Sequence, residues 1–88
     1  MQIIHDNGIY KIYEQKQIGS VEFEPEERYI QNIFLNKLYR NKGYLRKIIE
    51  YFGKPLIILP LEQHIQKFLH LGFIPYKTIG EDNYYILK

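Results

Sequence analysis

The chain has 88 residues, 45% hydrophobic and 16% aromatic, with 12 Lys and Arg against 10 Asp and Glu. That length fits one domain, residues 1–88, and so short a domain buries only about 60% of the surface its unfolded form exposes, so its core must be dense. Fifteen Ile and nine Tyr supply that density and exclude disorder, and the lack of Cys excludes a disulfide framework, a thiol nucleophile and a thiolate metal site.

No apolar run approaches the roughly 18 residues of a membrane span, and Met1 to Asp6 lack the basic and apolar regions of a signal peptide. A cytoplasmic protein is expected. Its charge is segregated: Glu22, Glu24, Glu26 and Glu27 lie close together, and Lys37, Arg40, Lys42, Arg46 and Lys47 follow with no acid among them.

In chain order, Asn7-Gly8 between Ile3-Ile4 and the alternating Ile9 to Tyr13 predicts a tight hairpin. A third strand runs over Ile18 to Glu24, where Val21 and Phe23 alternate with Glu22 and Glu24, and Pro25 breaks it. The fourth, about Tyr29 to Asn36, carries aliphatics at Ile30, Ile33 and Leu35, spaced three and then two. Such a slip of the period-2 pattern fits a β-bulge, and it fits equally an ordinary strand buried on both faces.

From Arg40 onward the period changes. Leu45, Ile48, Ile49 and Phe52 predict a helix with Asn41 as its cap, ended by Gly53-Lys54-Pro55. Leu56 to Leu59 reads as a strand covered on both faces, and Leu61, Ile65, Phe68 and Leu69 as a second helix ending at Gly72. Phe73 to Lys77 and Asn83 to Leu87 close the chain as two strands. The fold class is α/β, in the order ββββαβαββ, with a βαβ unit at its centre and two main helices.

The segment Leu35 to Leu45 runs from a strand through a basic turn containing Gly43 into a helix. Free backbone amides and the positive dipole end of a helix start bind anions, Gly lets a backbone approach a phosphate closely, and Lys42, Arg46 and Lys47 add full charges. Read from the residues alone, the turn is either a phosphate cradle or a solvated helix start.

Arg40-Asn41-Lys42-Gly43-Tyr44-Leu45 resembles the Gln/Arg-x-x-Gly-x-Gly/Ala signature of the GNAT superfamily of acyl-CoA N-acyltransferases. Lys67-Phe68-Leu69-His70-Leu71-Gly72-Phe73 resembles that family's Phe-Tyr-x-x-x-Gly-Phe segment, and Ile30, Ile33, Leu35 and Tyr39 stand where it places aliphatics and an aromatic. The resemblance implies a minimal GNAT-like, mixed and mostly antiparallel sheet whose fourth and fifth strands splay around acetyl-CoA. It implies that the amides of Lys42, Gly43, Tyr44 and Leu45 hold the pyrophosphate, with Arg40, Asn41 and Arg46 beside it. Leu35 and its neighbours would pair with the pantetheine, and Phe68 would lie by the sulfur.

This chain departs from the family at three positions. Leu45 replaces a small residue, so its branched side chain must point away from the pyrophosphate. Leu61 stands near where many members have Asn. Phe68 occupies the place of the Tyr whose hydroxyl commonly protonates the leaving thiolate, and Phe cannot donate a proton. Tyr76, His64 and His70 are the nearby alternatives. On the acceptor side an amine of pKa about 10.4 is neutral only at roughly the 10⁻³ level at pH 7, so a carboxylate would help, and Glu22 and Glu24 are the candidates.

Only about 28 residues precede the fourth strand, and they read as hairpin rather than as the two helices that usually wall the acceptor side. An open site favours an amine on a protein or another macromolecule. The expectation is an acetyl-CoA-dependent N-acetyltransferase working by direct transfer without a metal. Its rival is a degenerate domain that binds CoA, or serves as a protein-interaction module. A nucleic-acid binder stacking bases on Tyr39 and Tyr44 is the third reading. Those aromatics read better as core residues, so neither nucleic acid nor membrane is an expected partner, and the chain is expected as a monomer or homodimer.

Overall fold

The computed structural model describes residues 1–88. Seven strands, β1 (Gln2–Asp6), β2 (Ile9–Tyr13), β3 (Gln17–Glu24), β4 (Tyr29–Leu35), β5 (Leu56–Ile58), β6 (Ile74–Ile79) and β7 (Asp82–Leu87), form one sheet in the order β1-β2-β3-β4-β5-β7-β6. Helix α1 (Tyr44–Phe52) links β4 to β5 and α2 (Ile65–His70) links β5 to β6. Every strand pair is antiparallel except β4 with β5, as a βαβ crossover requires. None of the helices is long and apolar enough to cross a membrane.

The hairpin at Asn7-Gly8 forms as the sequence predicts, with φ of 55° and 85° at its two central residues, the geometry that matches the twist of the flanking strands. The period slip in β4 is a true bulge: Glu22 pairs with Asn32 and Phe23 with Ile30, leaving Gln31 as the extra residue. The alternative of a regular strand buried on both faces is excluded, because Gln31, Asn32 and Phe34 are exposed.

Ile48, Ile49 and Phe52, three faces of one helical stripe, bury α1 against Ile12, Ile18, Val21, Ile30, Leu56, Ile58, Phe73 and Leu87. Phe68 of α2 and Leu71 just after it pack on that same cluster, so both helices cover one face of the sheet. On the helix-free face Tyr29, Ile57, Ile86 and Ile74 stand as direct partners across four strands. Ile86 is only 8% exposed although it lies outside the main cluster. Burial in this row pushes the Tyr29 phenol above its ordinary value, with Tyr84 and Asp82 adding to the effect.

The β3–β4 turn holds a clamp that hydropathy patterning does not disclose. Arg28, at φ 57°, donates from Nε to the Pro55 carbonyl at 3.0 Å and from Nη2 to the Phe52 carbonyl, and its guanidinium carbon lies 4.9 Å from the centre of the Phe23 ring. A cation at the last carbonyls of α1 also meets the negative end of the helix dipole. The clamp fixes the end of α1 and the start of β5 beside the start of β4, where the parallel pair converges. Hydrogen bonds from a charged donor contribute about 1.5–3 kcal/mol. Arg28→Met is therefore expected to lower Tm, by roughly 4–8 °C for each kcal/mol lost in a domain of this size. An unchanged melting curve would show that the clamp contributes nothing.

Candidate functional site

Strands β4 and β5 pair only at Tyr29 with Ile57 and at Ile30 with Ile58. Beyond Ile30, β4 continues to Leu35 while β5 has ended, so the two strands diverge and leave one edge of β4 without a strand partner. Along its other edge, Asn36 donates to the Ile18 carbonyl at 2.7 Å, and strand alternation then turns the backbone groups of Ile33 and Leu35 toward the opening.

A cleft of about 500 Å³ occupies the divergence. It is walled by Ile30 to Leu35 on one side, by Arg40, Asn41, Gly43, Leu45, Arg46 and Ile48 at the entry of α1, and by Ile58 to Leu61, His64, Lys67, Phe68 and Leu71 on the other. Side chains of both sheet faces contribute, Ile33 and Leu35 from the helix-covered face and Asn32 and Phe34 from the bare one. The opening therefore passes through the sheet. The size and the mainly apolar lining with a few convergent polar groups are those of a small-molecule site.

At the mouth, Asn36 caps a short 3-10 turn (Lys37–Tyr39) by accepting from the Leu38 amide at 3.0 Å. Arg40 then folds back, and its Nε donates to the Leu35 carbonyl at 2.8 Å. Asn41 and Gly43 both have positive φ, 61° and 85°, with Lys42 between them on the ordinary side. Alternating hands of this kind turn successive N–H groups toward one side, forming an anion-binding concavity. The first bond of the helix runs from the Lys47 amide to the Gly43 carbonyl, so the amides of Asn41 to Arg46 all lack an intramolecular acceptor. Arg40, Lys42 and Arg46 stand around this run of donors with no carboxylate partner.

Asn41 does not cap α1 as its sequence position suggests. The cap is Gly43, in the left-handed conformation and with no side-chain bond, while Asn41 takes up a left-handed turn position that its short polar side chain tolerates. The Leu45 side chain packs on the core and also lines the cleft. Leu35 reaches the cleft edge, but its carbonyl is already held by Arg40, and its neighbour Ile33 presents a free carbonyl and amide there.

Other anticipated residues lie elsewhere. The Tyr44 ring packs edge-on against Tyr39 at 5.7 Å, with Lys47 Nζ 5.5 Å from its centre. Burial, aided by the charge of the nearby Glu14 carboxylate, holds the Tyr44 phenol above its ordinary value. Tyr39 and Tyr44 both pack on the core, so neither offers the free face that base stacking needs, and Lys47 is drawn away from the cleft. Tyr76 is exposed at the bulge of β6, the edge strand, outside the cleft, with Lys77 Nζ 5.3 Å from its ring centre. The structure does not bring it to the site.

Glu22 and Glu24 lie on the helix-free face, opposite Val21 and Phe23. Glu22 Oε1 is 3.5 Å from Nδ2 of Asn32, which lines the cleft, whereas Glu24 is engaged by the Glu26 amide at 3.1 Å. Phe68 lines the cleft and meets Phe73 edge-on at 5.5 Å. His64 lines it one helical turn earlier, and His70 does not.

No family model matches the sequence, and no curated protein matches it. Among solved structures the chain is similar to a variant of the spermidine N-acetyltransferase SpeG from Vibrio cholerae, with a TM-score of 0.57 and 19% identity over 94% of this chain and 68% of that one. At that identity the likeness is one of architecture: the chain has a GNAT-like fold.

Proposed function

We propose that this chain is an acetyl-CoA-dependent N-acetyltransferase that passes the acetyl group directly to an amine. The observation that carries the reading is the union, in one cleft, of a run of unpaired amides at the start of α1 with an open edge on β4. The first suits a pyrophosphate, since unpaired amides at a helix start and the cations of Arg40 and Arg46 line the same cleft, with Lys42 in the adjoining turn. The second suits the amides of a pantetheine arm, which extend the sheet at Ile33 as a strand would. The thioester then lies toward the convergence at Ile30 and Ile58, among apolar side chains that exclude water.

The amine enters from the helix-free face, through the part of the cleft edged by Asn32 and Phe34. Glu22 stands beside Asn32 and accepts a proton from the incoming ammonium through water, raising the neutral fraction at the point of attack. Nitrogen attacks the carbonyl carbon, the C–S bond breaks, and the thiolate leaves with a proton. The protein of like fold is named for spermidine, a polycation. Here the bare sheet face and its acidic residues favour a cationic amine presented on a larger molecule.

Thiol release tests the reading, and the absence of Cys makes the free thiol of CoA the sole thiol in the assay. Acetyl-CoA with lysine-bearing peptides is expected to release CoA in proportion to acetylated peptide, at a rate that rises with pH as the amine deprotonates. Tight binding with no release from any amine would favour a CoA-binding module, a reading supported by the lack of any hydroxyl on Phe68. No binding would remove both.

A further inference from the structure

Departure of CoA requires one proton at sulfur, and the cleft is poor in groups able to give one. Of the residues that line it, none carries a hydroxyl, a carboxylate or a thiol. Arg40, Arg46 and Lys67 hold their protons too tightly, as residue types, to release them near neutral pH. Gln31, Asn32 and Asn41 do not ionise. One lining residue remains that is of a type suited to proton exchange near neutral pH, and it is His64.

Its placement fits the task. His64 is the residue before α2, half-buried, four positions ahead of Phe68 and so on the same side of the helix. Its backbone is anchored by a bond from its amide to the Leu61 carbonyl at 2.8 Å, and its ring forms no hydrogen bond within the protein. Both nitrogens are free to meet a ligand.

We infer that His64 supplies the proton to the leaving thiolate in place of the hydroxyl that Phe68 lacks, an inference that rests on the acetyltransferase reading above. When the tetrahedral adduct collapses and the C–S bond breaks, the imidazolium N–H passes its proton to sulfur. The proton lost by the amine nitrogen, carried away on the Glu22 side through water, balances it, and His64 is recharged from solvent at the open mouth. The charged residues that line the cleft with His64 are Arg40 from the turn, Arg46 from α1 and Lys67 from α2, with none from β4 or β5. All three are cations that bound phosphates offset, so the relevant charge state is that of the ternary complex, which kcat reports.

The experiment has two stages. Calorimetric titration of acetyl-CoA into the unaltered chain and into His64→Gln comes first, with melting curves to establish that both fold. Thiol release is then followed against pH, with an arylamine acceptor that stays neutral throughout, so that the acceptor contributes no titration of its own. The unaltered chain is expected to show kcat falling as pH rises through the imidazole range. His64→Gln is expected to bind acetyl-CoA within twofold of the unaltered chain, to lose at least tenfold in kcat, and to lose that limb. Adding Phe68→Tyr to His64→Gln is expected to restore rate without restoring the limb.

Turnover of His64→Gln with an unchanged rate and pH profile would overturn the assignment while leaving the acetyltransferase reading intact. So would a limb of opposite sign, with kcat falling as pH drops, since that is the signature of a base. Failure of the unaltered chain to bind acetyl-CoA would remove the acetyltransferase reading, and this inference with it.

Discussion

Gly43→Glu is expected to lose at least tenfold in acetyl-CoA affinity while the domain stays folded. A Cβ built at Gly43 meets nothing within 4 Å, so the substitution creates no clash, and its intrinsic cost is that of an L-residue at φ 85°, about 1–2 kcal/mol. A carboxylate at a helix N-terminus recovers part of that through the dipole. The same carboxylate sits among the unpaired amides of Asn41 to Arg46, competes for them and repels a phosphate. Gly43→Ala carries the backbone cost without the charge and is expected to weaken binding less. Calorimetric titration of both variants separates the two effects, and full affinity in a folded Gly43→Glu chain would move the anion site away from this turn.

Gly19→Ala is expected to have the largest effect on the fold for the smallest change in composition. Gly19 faces Leu35 across the β3–β4 ladder, and a Cβ there would clash with the Phe34 carbonyl oxygen and come within 3.3 Å of the Leu35 backbone. The obstacle is backbone, which cannot rotate aside, so β4 must shift. Overpacking of this kind typically costs about 1–3 kcal/mol and occasionally more. Because β4 is one wall of the cleft, acetyl-CoA binding should fall together with Tm through displacement of that wall, whereas the loss of binding in Gly43→Glu comes from charge at the anion site and should exceed what its backbone cost takes from Tm. A Gly19→Ala chain with native Tm and native affinity would mean that the approach of β3 to β4 is looser than described.

What the sequence made legible follows from the range of the forces involved. The Asn7-Gly8 hairpin, the shift from period 2 to period 3.6 after Arg40 and the slip between Ile30 and Ile33 are local patterns, and each corresponds to an observed element. The slip alone left two readings open, and exposure of Gln31 decided between them. The splay of β4 from β5 came from resemblance rather than periodicity, since the strand pattern of Leu56 to Leu59 says nothing about where its pairing ends.

The rest depends on contacts and turns that residue type alone does not encode. Asn41 has the composition of a cap, but the left-handed turn at Gly43 starts the helix two residues later. Leu35 was placed correctly at the cleft edge, yet its carbonyl is taken by the side chain of Arg40, five residues on. Tyr76 is carried outward because β6 is the edge strand, two strands beyond β5. Arg28 was invisible because its partners at Phe52 and Pro55 are distant in sequence and are backbone carbonyls, which leave no trace in residue type. His64 was in view as one of three possible donors, and the cleft lining selected it.

The account depends on one claim, that acetyl-CoA lies in the divergence of β4 and β5 with its pyrophosphate at the start of α1. An amide-resolved NMR titration of the 88-residue chain with acetyl-CoA tests it most directly. The account predicts saturable shifts concentrated at Asn41 to Arg46, Ile33 and Leu35, with weaker ones at His64 and Phe68 and none along β1 and β6. Saturable binding that leaves Asn41 to Arg46 undisturbed, or no binding at all, would contradict it.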